Sequence, residues 1–149
     1  MTGDDDLARA VGLAAALHHG QKDKAGEPYI AHVVAVIAGV ARLEEKIAAA
    51  LHDTVEDCGI GIAAIANDFG AEIAASVDAL TRRPGEAYLS DFIPRCAANP
   101  IARAVKISDL RHNMDESRLK TVTADDARRL ERYAEALAIL TDGDASSAL

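Results

Sequence analysis

Residues 47–57 read Ile-Ala-Ala-Ala-Leu-His-Asp-Thr-Val-Glu-Asp, an apolar run that ends abruptly in four ionisable side chains. If one helix continues through this stretch, His52 and Glu56 share one ridge and Asp53 and Asp57 share the next, because residues four apart lie on one face. Three carboxylates beside an apolar face cannot all stay ionised without water or a cation, since burial and mutual repulsion favour their neutral forms. The stretch therefore predicts a divalent metal site at the end of a buried helix. A polar helix end that faces solvent is the alternative.

The composition around this stretch favours an all-α fold. Alanine supplies 32 of the 149 residues, whereas Phe and Tyr together supply five, so the core depends on small side chains that let helices approach closely. No segment shows the alternating pattern of β-branched residues that is typical of strands. We expect a single domain over residues 1–149, a bundle of about seven to eight helices with a helical core over 4–141 and a flexible tail over 142–149.

Helix boundaries follow from apolar residues at helical spacing and from Pro and Gly breaks. The predicted helices cover residues 4–19, 29–42, 44–53, 62–69, 73–80 and 87–98, then a segment that begins at Pro100, then a last helix that ends near Leu140. Thr123, followed by Asp126 three residues later, resembles a capping box at the start of that last helix. The apolar stripe of the last helix belongs to the core or to an oligomer contact. Its members are Leu130, Tyr133, Leu137 and Leu140.

Charge and hydropathy exclude two classes of partner. The net charge of −8 comes without an extended basic stripe, which argues against a protein that binds nucleic acid. Uncharged apolar stretches such as Val11–Leu17 are far shorter than the roughly 20 residues that a membrane-spanning helix needs. Cys58 and Cys96 form no metal-binding or disulfide pattern, so we expect reduced thiols and a cytoplasmic protein.

Two more polar residues lie in apolar surroundings. His32 stands among Ile30, Val33 and Val34, and Asp109 follows an apolar helical segment. Each residue alone is typical of a buried core histidine or a helix cap. Together with the His52-Asp53 pair, they predict a shared polar site inside the fold.

Taken in order, these residues belong to a series of landmarks along the chain. The landmarks are His19-Gly-Gln21, Gly26-Glu-Pro-Tyr-Ile-Ala-His32, Ala50-Leu-His-Asp-Thr-Val-Glu-Asp57, Phe69-Gly70, Leu80-Thr81 and Val105-Lys-Ile-Ser-Asp-Leu-Arg-His-Asn-Met114. The series resembles the HD-domain phosphohydrolases, specifically the guanosine tetraphosphate (alarmone) hydrolases related to the hydrolase half of RelA/SpoT proteins. The resemblance spans most of the chain. It implies an all-α HD domain that uses metal-bound water to remove the 3′-pyrophosphate of guanosine 3′,5′-bis(diphosphate).

The resemblance also implies roles for individual residues. The metal ligands that it implies are His32, His52, Asp53 and Asp109, and the metal is usually manganese. Two imidazoles and two carboxylates form a nitrogen and oxygen set that also suits iron or zinc. Glu56 and Asp57 would serve the hydrolytic water, with either one as the base. Lys24 and Asn113 would contact the nucleotide.

The sequence departs from the family mainly where the nucleotide is recognised. Asp23 stands where the alarmone hydrolases usually carry an arginine associated with the purine, and Val33 replaces a proline after His32. A hydrolase of another nucleotide or phosphate ester is therefore an alternative, as is a regulatory module that binds metal and nucleotide with little turnover.

Four cations are candidate counter-charges for phosphate, or else they are solvated surface residues. They are Lys22, Lys24, Lys106 and Arg111. No convincing ligand partners follow from the spacing of His18, His19 and His112, which we interpret as structural or surface residues.

Overall fold

The computed structural model describes residues 3–115 and 123–147. These residues form α-helices, one π-helical turn and connecting loops, with no strand in either range, which confirms the all-α prediction. The α-helices are α1 (Asp4–Leu17), α2 (Tyr29–Ala38), α3 (Leu43–Leu51), α4 (Thr54–Cys58), α5 (Ile62–Phe69), α6 (Ala71–Ala79), α7 (Ile93–Ala98), α8 (Pro100–Asn113) and α9 (Ala124–Ser147), and the π-helical turn spans Tyr88–Phe92.

Helix α3 lies at the centre of the fold. Its alanines Ala48 and Ala49 pack into an apolar cluster with α7, α8 and α9, whereas Ile47, Ala50 and Leu51 pack into a second cluster with α1, α5 and α6. All five residues are inaccessible to solvent. Because the second half of α3 is buried on every side, whatever follows Leu51 in the chain begins deep inside the molecule.

The predicted helix over 44–53 corresponds to α3, but this helix does not continue through the acidic residues, so polar ridges do not run on to Asp57 along one helix. Helix α3 ends at Leu51, and His52 and Asp53 form a turn before the short helix α4. The Thr54 hydroxyl donates to the Leu51 carbonyl at 2.8 Å and satisfies one of the carbonyls that the helix end leaves open. Gly59, with a φ of 75°, then ends α4 in the left-handed conformation that glycine adopts without strain.

Helices α2 and α8 approach closely at Gly39. A Cβ at this position would overlap the side chain of Ser108, whose hydroxyl donates to the Val36 carbonyl at 2.8 Å. This contact fixes the spacing of α2, which carries His32, and α8, which carries Asp109.

Several helix ends differ from their predicted positions. Helix α2 ends at Ala38, well before residue 42, and the π-helical turn opens the segment that was predicted as one helix over 87–98. The last helix runs to Ser147, beyond the predicted end near Leu140 and into the predicted tail, of which residues 148–149 lie outside the described range. The capping box is present, because Thr123 and Asp126 exchange hydrogen bonds of 3.0 and 3.1 Å.

No helix in the described part of the chain has the length and apolar character needed to cross a membrane.

Candidate metal centre

Three predicted ligands meet in the interior. One side-chain ligand atom each of His32, His52 and Asp109 lies within 4.8 Å of the other two, and all three residues are buried. They come from the start of α2, the end of α3 and the last turns of α8. The His32 Nε2 atom lies 2.8 Å from Asp109 Oδ1, and the His52 Nε2 atom lies 3.6 Å from the same oxygen.

The orientation of the His52 ring is the most informative feature of the site. Its Nδ1 atom donates to the Ala49 carbonyl at 2.6 Å, so the neutral ring carries its lone pair on Nε2. Nε2 is buried, lies 2.9 Å from Asp53 Oδ2, and makes no hydrogen bond of acceptable angle. A lone pair that faces two carboxylates is repelled by both, and a cation among these atoms would turn that repulsion into attraction. The residues present therefore fit a divalent metal with nitrogen and oxygen ligands.

Asp53 lies beside these three residues and contacts both His52 and Tyr29. The Tyr29 hydroxyl donates a short hydrogen bond to Asp53 Oδ2, the oxygen that also contacts His52. Burial and the neighbouring Asp53 carboxylate raise the pKa of Tyr29, so the phenol stays protonated and remains a donor. The sequence motif contained Tyr29, but nothing in its spacing indicated this contact.

The charges of the site are strongly coupled. Burial opposes the charge on His52, yet the Asp53 and Asp109 carboxylates raise its pKa well above the ordinary value. Burial likewise opposes the charge on Asp109, but Lys106 and the two histidines hold the pKa of that carboxyl well below its usual range. Without a metal, a protonated His52 is therefore the form that balances the two acids.

Lys106 and Asn113 both bind Asp109. The Lys106 ammonium donates to Asp109 Oδ2 at 2.8 Å, and the Asn113 amide donates to Asp109 Oδ1 at 3.2 Å. Burial opposes the charge on Lys106, but the Asp109 carboxylate raises its pKa above the ordinary value. The alternative that Lys106 is a solvated surface residue is therefore wrong, because its charge balances a buried candidate ligand.

His112 is a second contact that the sequence did not indicate. Its Nδ1 atom lies 2.7 Å from His32 Nδ1, so one of these two nitrogens donates a proton to the other. When His32 donates, its Nε2 lone pair points towards Asp109 and His52, the orientation that a metal ligand requires. His18 is buried as well, with its Nδ1 2.8 Å from Gln21 Oε1, whereas His19 is exposed.

The two predicted catalytic acids lie beyond the ligands on α4. Glu56 Oε1 accepts a hydrogen bond from the Arg82 backbone N–H at 2.8 Å, and Asp57 Oδ2 accepts one from Gln21 at 3.3 Å. Partial burial, followed by nearby carboxylates including Asp53, raises the pKa of both acids. Each acid keeps one oxygen outside these hydrogen bonds.

A cleft of about 400 Å³ opens beside the metal centre. Tyr29 and Asn113 form its inner wall and contact Asp53 and Asp109 respectively, so the cleft reaches the candidate ligands. The loop after α1, the residue Asp115 after α8 and one side of α9 complete the lining; the loop and α9 contribute Gln21, Lys22, Asp23, Lys24, Ala25, Arg129, Leu130 and Tyr133. The structure thus brings both predicted nucleotide-binding residues, Lys24 and Asn113, to one cleft.

Asp23 shapes the loop that borders this cleft. Its Oδ1 atom accepts hydrogen bonds from the backbone N–H groups of Ala25 at 2.9 Å and Glu27 at 3.0 Å. An arginine could not accept these bonds. The residue that departs from the family pattern is therefore built into the loop conformation and also places a negative charge in the cleft.

Comparison with known proteins identifies the family. The family model described as "HD domain" matches residues 10–112, which include every predicted metal ligand and both predicted catalytic acids. The chain belongs to the HD-domain family. The His52-Asp53 pair at the end of α3 occupies the centre of this match.

Relatives among curated proteins are much longer than this HD domain. A protein of Synechocystis named a probable guanosine-3′,5′-bis(diphosphate) 3′-pyrophosphohydrolase is 37% identical over 142 residues, which cover 85% of this chain and 18% of the relative. The Streptomyces coelicolor protein named GTP pyrophosphokinase is 35% identical over 120 residues, 72% of this chain and 14% of the relative. The chain therefore spans between a seventh and a fifth of the length of these relatives.

A solved structure shares the fold. It comes from work described as "A metazoan ortholog of SpoT hydrolyzes ppGpp and plays a role in starvation responses", and it matches 94% of this chain and 87% of its own with a TM-score of 0.75. The two sequences are 21% identical, so this match supports the HD-domain fold alone.

Proposed function

We propose that this HD domain is a metal-dependent phosphohydrolase that removes pyrophosphate from guanosine 3′,5′-bis(diphosphate). The proposal rests above all on the buried His52 Nε2 atom, which faces Asp53 and Asp109 beside an open cleft. The names of the longer relatives support this substrate class. The proposal includes a cytoplasmic location, where such a nucleotide would be met.

Four residues would hold the metal: His32, His52, Asp53 and Asp109. The proposed metal is manganese, with iron and zinc as alternatives, because the mixed nitrogen and oxygen set suits all three. When bound, such a cation lowers the pKa of water and withdraws charge from a phosphate oxygen. Tyr29, Lys106 and Asn113 hold the carboxylate ligands in place through the hydrogen bonds described above.

Glu56 and Asp57 would manage the proton of the attacking water. The pKa values of both carboxyl groups are raised towards neutral pH, and a carboxylate with a higher pKa accepts a proton more effectively. The water oxygen forms a bond to the phosphorus attached to the 3′-oxygen of the ribose, and the bond between that phosphorus and the 3′-oxygen breaks. One water proton passes to the carboxylate and the 3′-oxygen leaves with a proton, so the products are GDP and pyrophosphate.

The cleft would bind the nucleotide. Lys22 and Lys24 are exposed at its edge and form no ion pair among the described residues, which leaves their charges available to phosphate. Asn113 would position the substrate next to Asp109, to which its amide already binds.

Asp23 supports a second candidate, the hydrolysis of another nucleotide or phosphate ester. Its carboxylate lines the cleft where the alarmone hydrolases usually present an arginine. A negative charge there repels phosphate and accepts hydrogen bonds from base N–H groups. This change favours a substrate other than a guanine nucleotide.

A panel assay tests both candidates. The full chain, loaded with manganese, is incubated with guanine and adenine nucleotides that carry 3′- or 5′-phosphates, and released phosphate and pyrophosphate are measured. We expect pyrophosphate from guanosine 3′,5′-bis(diphosphate) and a loss of at least about a hundredfold in His52→Ala, with His19→Ala as the matched control. Release from another nucleotide alone would favour the second candidate, and binding without turnover would favour a regulatory module.

A further inference from the structure

A cluster of cations beside the metal centre has no carboxylate partner. The guanidinium carbon of Arg82 lies 5.1 Å from the centroid of the Tyr88 ring, and that of Arg132 lies 5.3 Å from the same centroid. Both side chains are exposed, and neither forms an ion pair with any described residue. In a chain of net charge −8, two neighbouring arginines without an acid are unusual.

Both arginines contact the same aromatic ring. The face of an aromatic ring attracts cations, and a contact of this kind orients a guanidinium that would otherwise move freely in solvent. Tyr88 is itself fixed by Phe92 and Tyr133, whose ring centroids lie 5.7 and 6.4 Å away. Both positive charges thus lie against one ring, an arrangement that a bound anion would stabilise.

Two contacts connect this cluster to the metal centre. The backbone N–H of Arg82 donates to Glu56, one of the two acids proposed to serve the water. On the other side, the Lys106 ammonium lies 5.9 Å from the Tyr88 centroid and donates to Asp109. The backbone of Arg82 therefore contacts the proposed base, and Lys106 links the Tyr88 ring to a proposed ligand.

The Tyr88 hydroxyl adds an independent observation. It is buried and has no hydrogen-bond partner in the described part of the chain. Buried hydroxyl groups in proteins are nearly always satisfied, so an unpaired one on the ring that Arg82 and Arg132 contact indicates an acceptor that binds there.

We propose that Arg82 and Arg132, held on Tyr88, form an oxyanion subsite that receives the pyrophosphate group released by the reaction. The role as a product subsite rests on the proposed function, whereas the binding of a phosphate-type anion does not. Arginine suits this task because its planar fork donates two hydrogen bonds to adjacent oxygens. Lys22 and Lys24 at the edge of the cleft remain available for the rest of the nucleotide.

Calorimetric titration of the full, metal-loaded chain with inorganic pyrophosphate tests the subsite. We expect the double variant Arg82→Ala/Arg132→Ala to bind pyrophosphate at least about tenfold more weakly than the wild type. Arg83→Ala/Arg128→Ala is the matched control, since it removes the same charge from the same loop and the same helix while its arginines are already paired with Asp78 and Asp125. The control is expected to bind like the wild type.

Two outcomes would overturn the subsite. Equal affinity in the double variant and the wild type would show that the arginines do not bind the anion. An equal loss in both double variants would show that only the net charge matters.

The variant Arg132→Lys controls for misfolding, because it keeps the charge. It is expected to weaken binding severalfold, since lysine lacks the planar fork. Turnover of guanosine 3′,5′-bis(diphosphate) by the wild type is measured separately. If that turnover is absent while the double variant still loses pyrophosphate affinity, the proposed function fails and the anion subsite stands.

Discussion

Lys106 is the residue whose role differs most from its sequence context. Its ammonium is largely buried, binds Asp109 and lies 5.2 Å from the centroid of Phe92. The sequence around Lys106 does not indicate its burial, because a lysine within a helix usually faces solvent. Only the contact with Asp109 shows that one charge stabilises the other.

Replacement of this lysine by methionine is expected to destabilise the metal-free protein. Lys106→Met keeps the length of the side chain but leaves the Asp109 carboxylate without its strongest counter-charge, which costs about 3–5 kcal/mol for a buried pair. Urea unfolding measures the loss, with exposed Lys22→Met as control. Bound metal would partly replace the missing charge, so the loss is expected to shrink in the presence of manganese. The same loss with and without metal would contradict the placement of the cation at Asp109.

At the level of residues, the sequence indicated the grouping of the candidate ligands better than it indicated the residues that contact them. His32, His52 and Asp109 stand in apolar runs, where an ionisable group needs compensation, and the structure brings them together. Tyr29 and His112 gave no such signal, because a tyrosine before a helix and a histidine near a helix end are common on surfaces. Their roles depend on the approach of helices that are distant in sequence, and spacing along the chain does not record that.

At the level of elements, the approach of α2 to α8 carries a prediction. Gly39→Ala would force a methyl group against Ser108, and overpacking of this kind costs about 1–3 kcal/mol. Gly39 has a helical φ of −86°, so the backbone itself accepts alanine and the cost arises from packing. The double variant Gly39→Ala/Ser108→Ala is expected to recover part of the loss in a thermodynamic cycle. Additive losses in the double variant would contradict the contact.

The loop that carries Arg82 depends on an ion pair between Glu86 and Arg95. Arg95 also donates to the Thr81 carbonyl at 2.9 Å, so this pair ties the loop to α7. Hydrogen bonding from Arg95 lowers the pKa of Glu86 from 4.5 to about 2. Because folding lowers this pKa, the pair contributes its full stabilisation above pH 4.5 and loses it as the pH falls towards about 2.

The Glu86→Gln variant tests this pH dependence. It is expected to be less stable than the wild type near neutral pH, and its free energy of unfolding should fall less steeply between pH 4.5 and about 2. Urea unfolding at a series of pH values measures both slopes. Parallel slopes would show that Glu86 does not titrate in this window.

The break between α3 and α4 could not be predicted from periodicity. The apolar spacing of residues 47–58 fits a continuous helix. The hydrogen bond from the Thr54 hydroxyl to the Leu51 carbonyl forms only because the chain turns at this point, and the spacing does not indicate that turn. The π-helical turn at Tyr88–Phe92 is a similar case. By contrast, the start of α9 was predictable because its capping box is entirely local.

At the scale of the whole molecule, metal binding should stabilise the fold. The candidate ligands join α2, α8 and the end of α3, so a bound ion links three helices that contact both apolar clusters. Free metal at a hundred times its dissociation constant adds about 2.7 kcal/mol. Manganese is therefore expected to raise the Tm of the wild type by several degrees and that of His52→Ala very little, as measured by calorimetry. An equal rise in both proteins would indicate binding elsewhere.

The position of α9 in the chain has a consequence for biosynthesis. Asp109, the last of the proposed metal ligands, emerges from the ribosome ahead of Arg129, Leu130 and Tyr133, which line the cleft. Helix α9 also supplies Ala136 and Leu140 to the core. An emerging chain thus presents all the proposed ligands before it has a complete wall for a nucleotide, so ion capture can precede substrate capture.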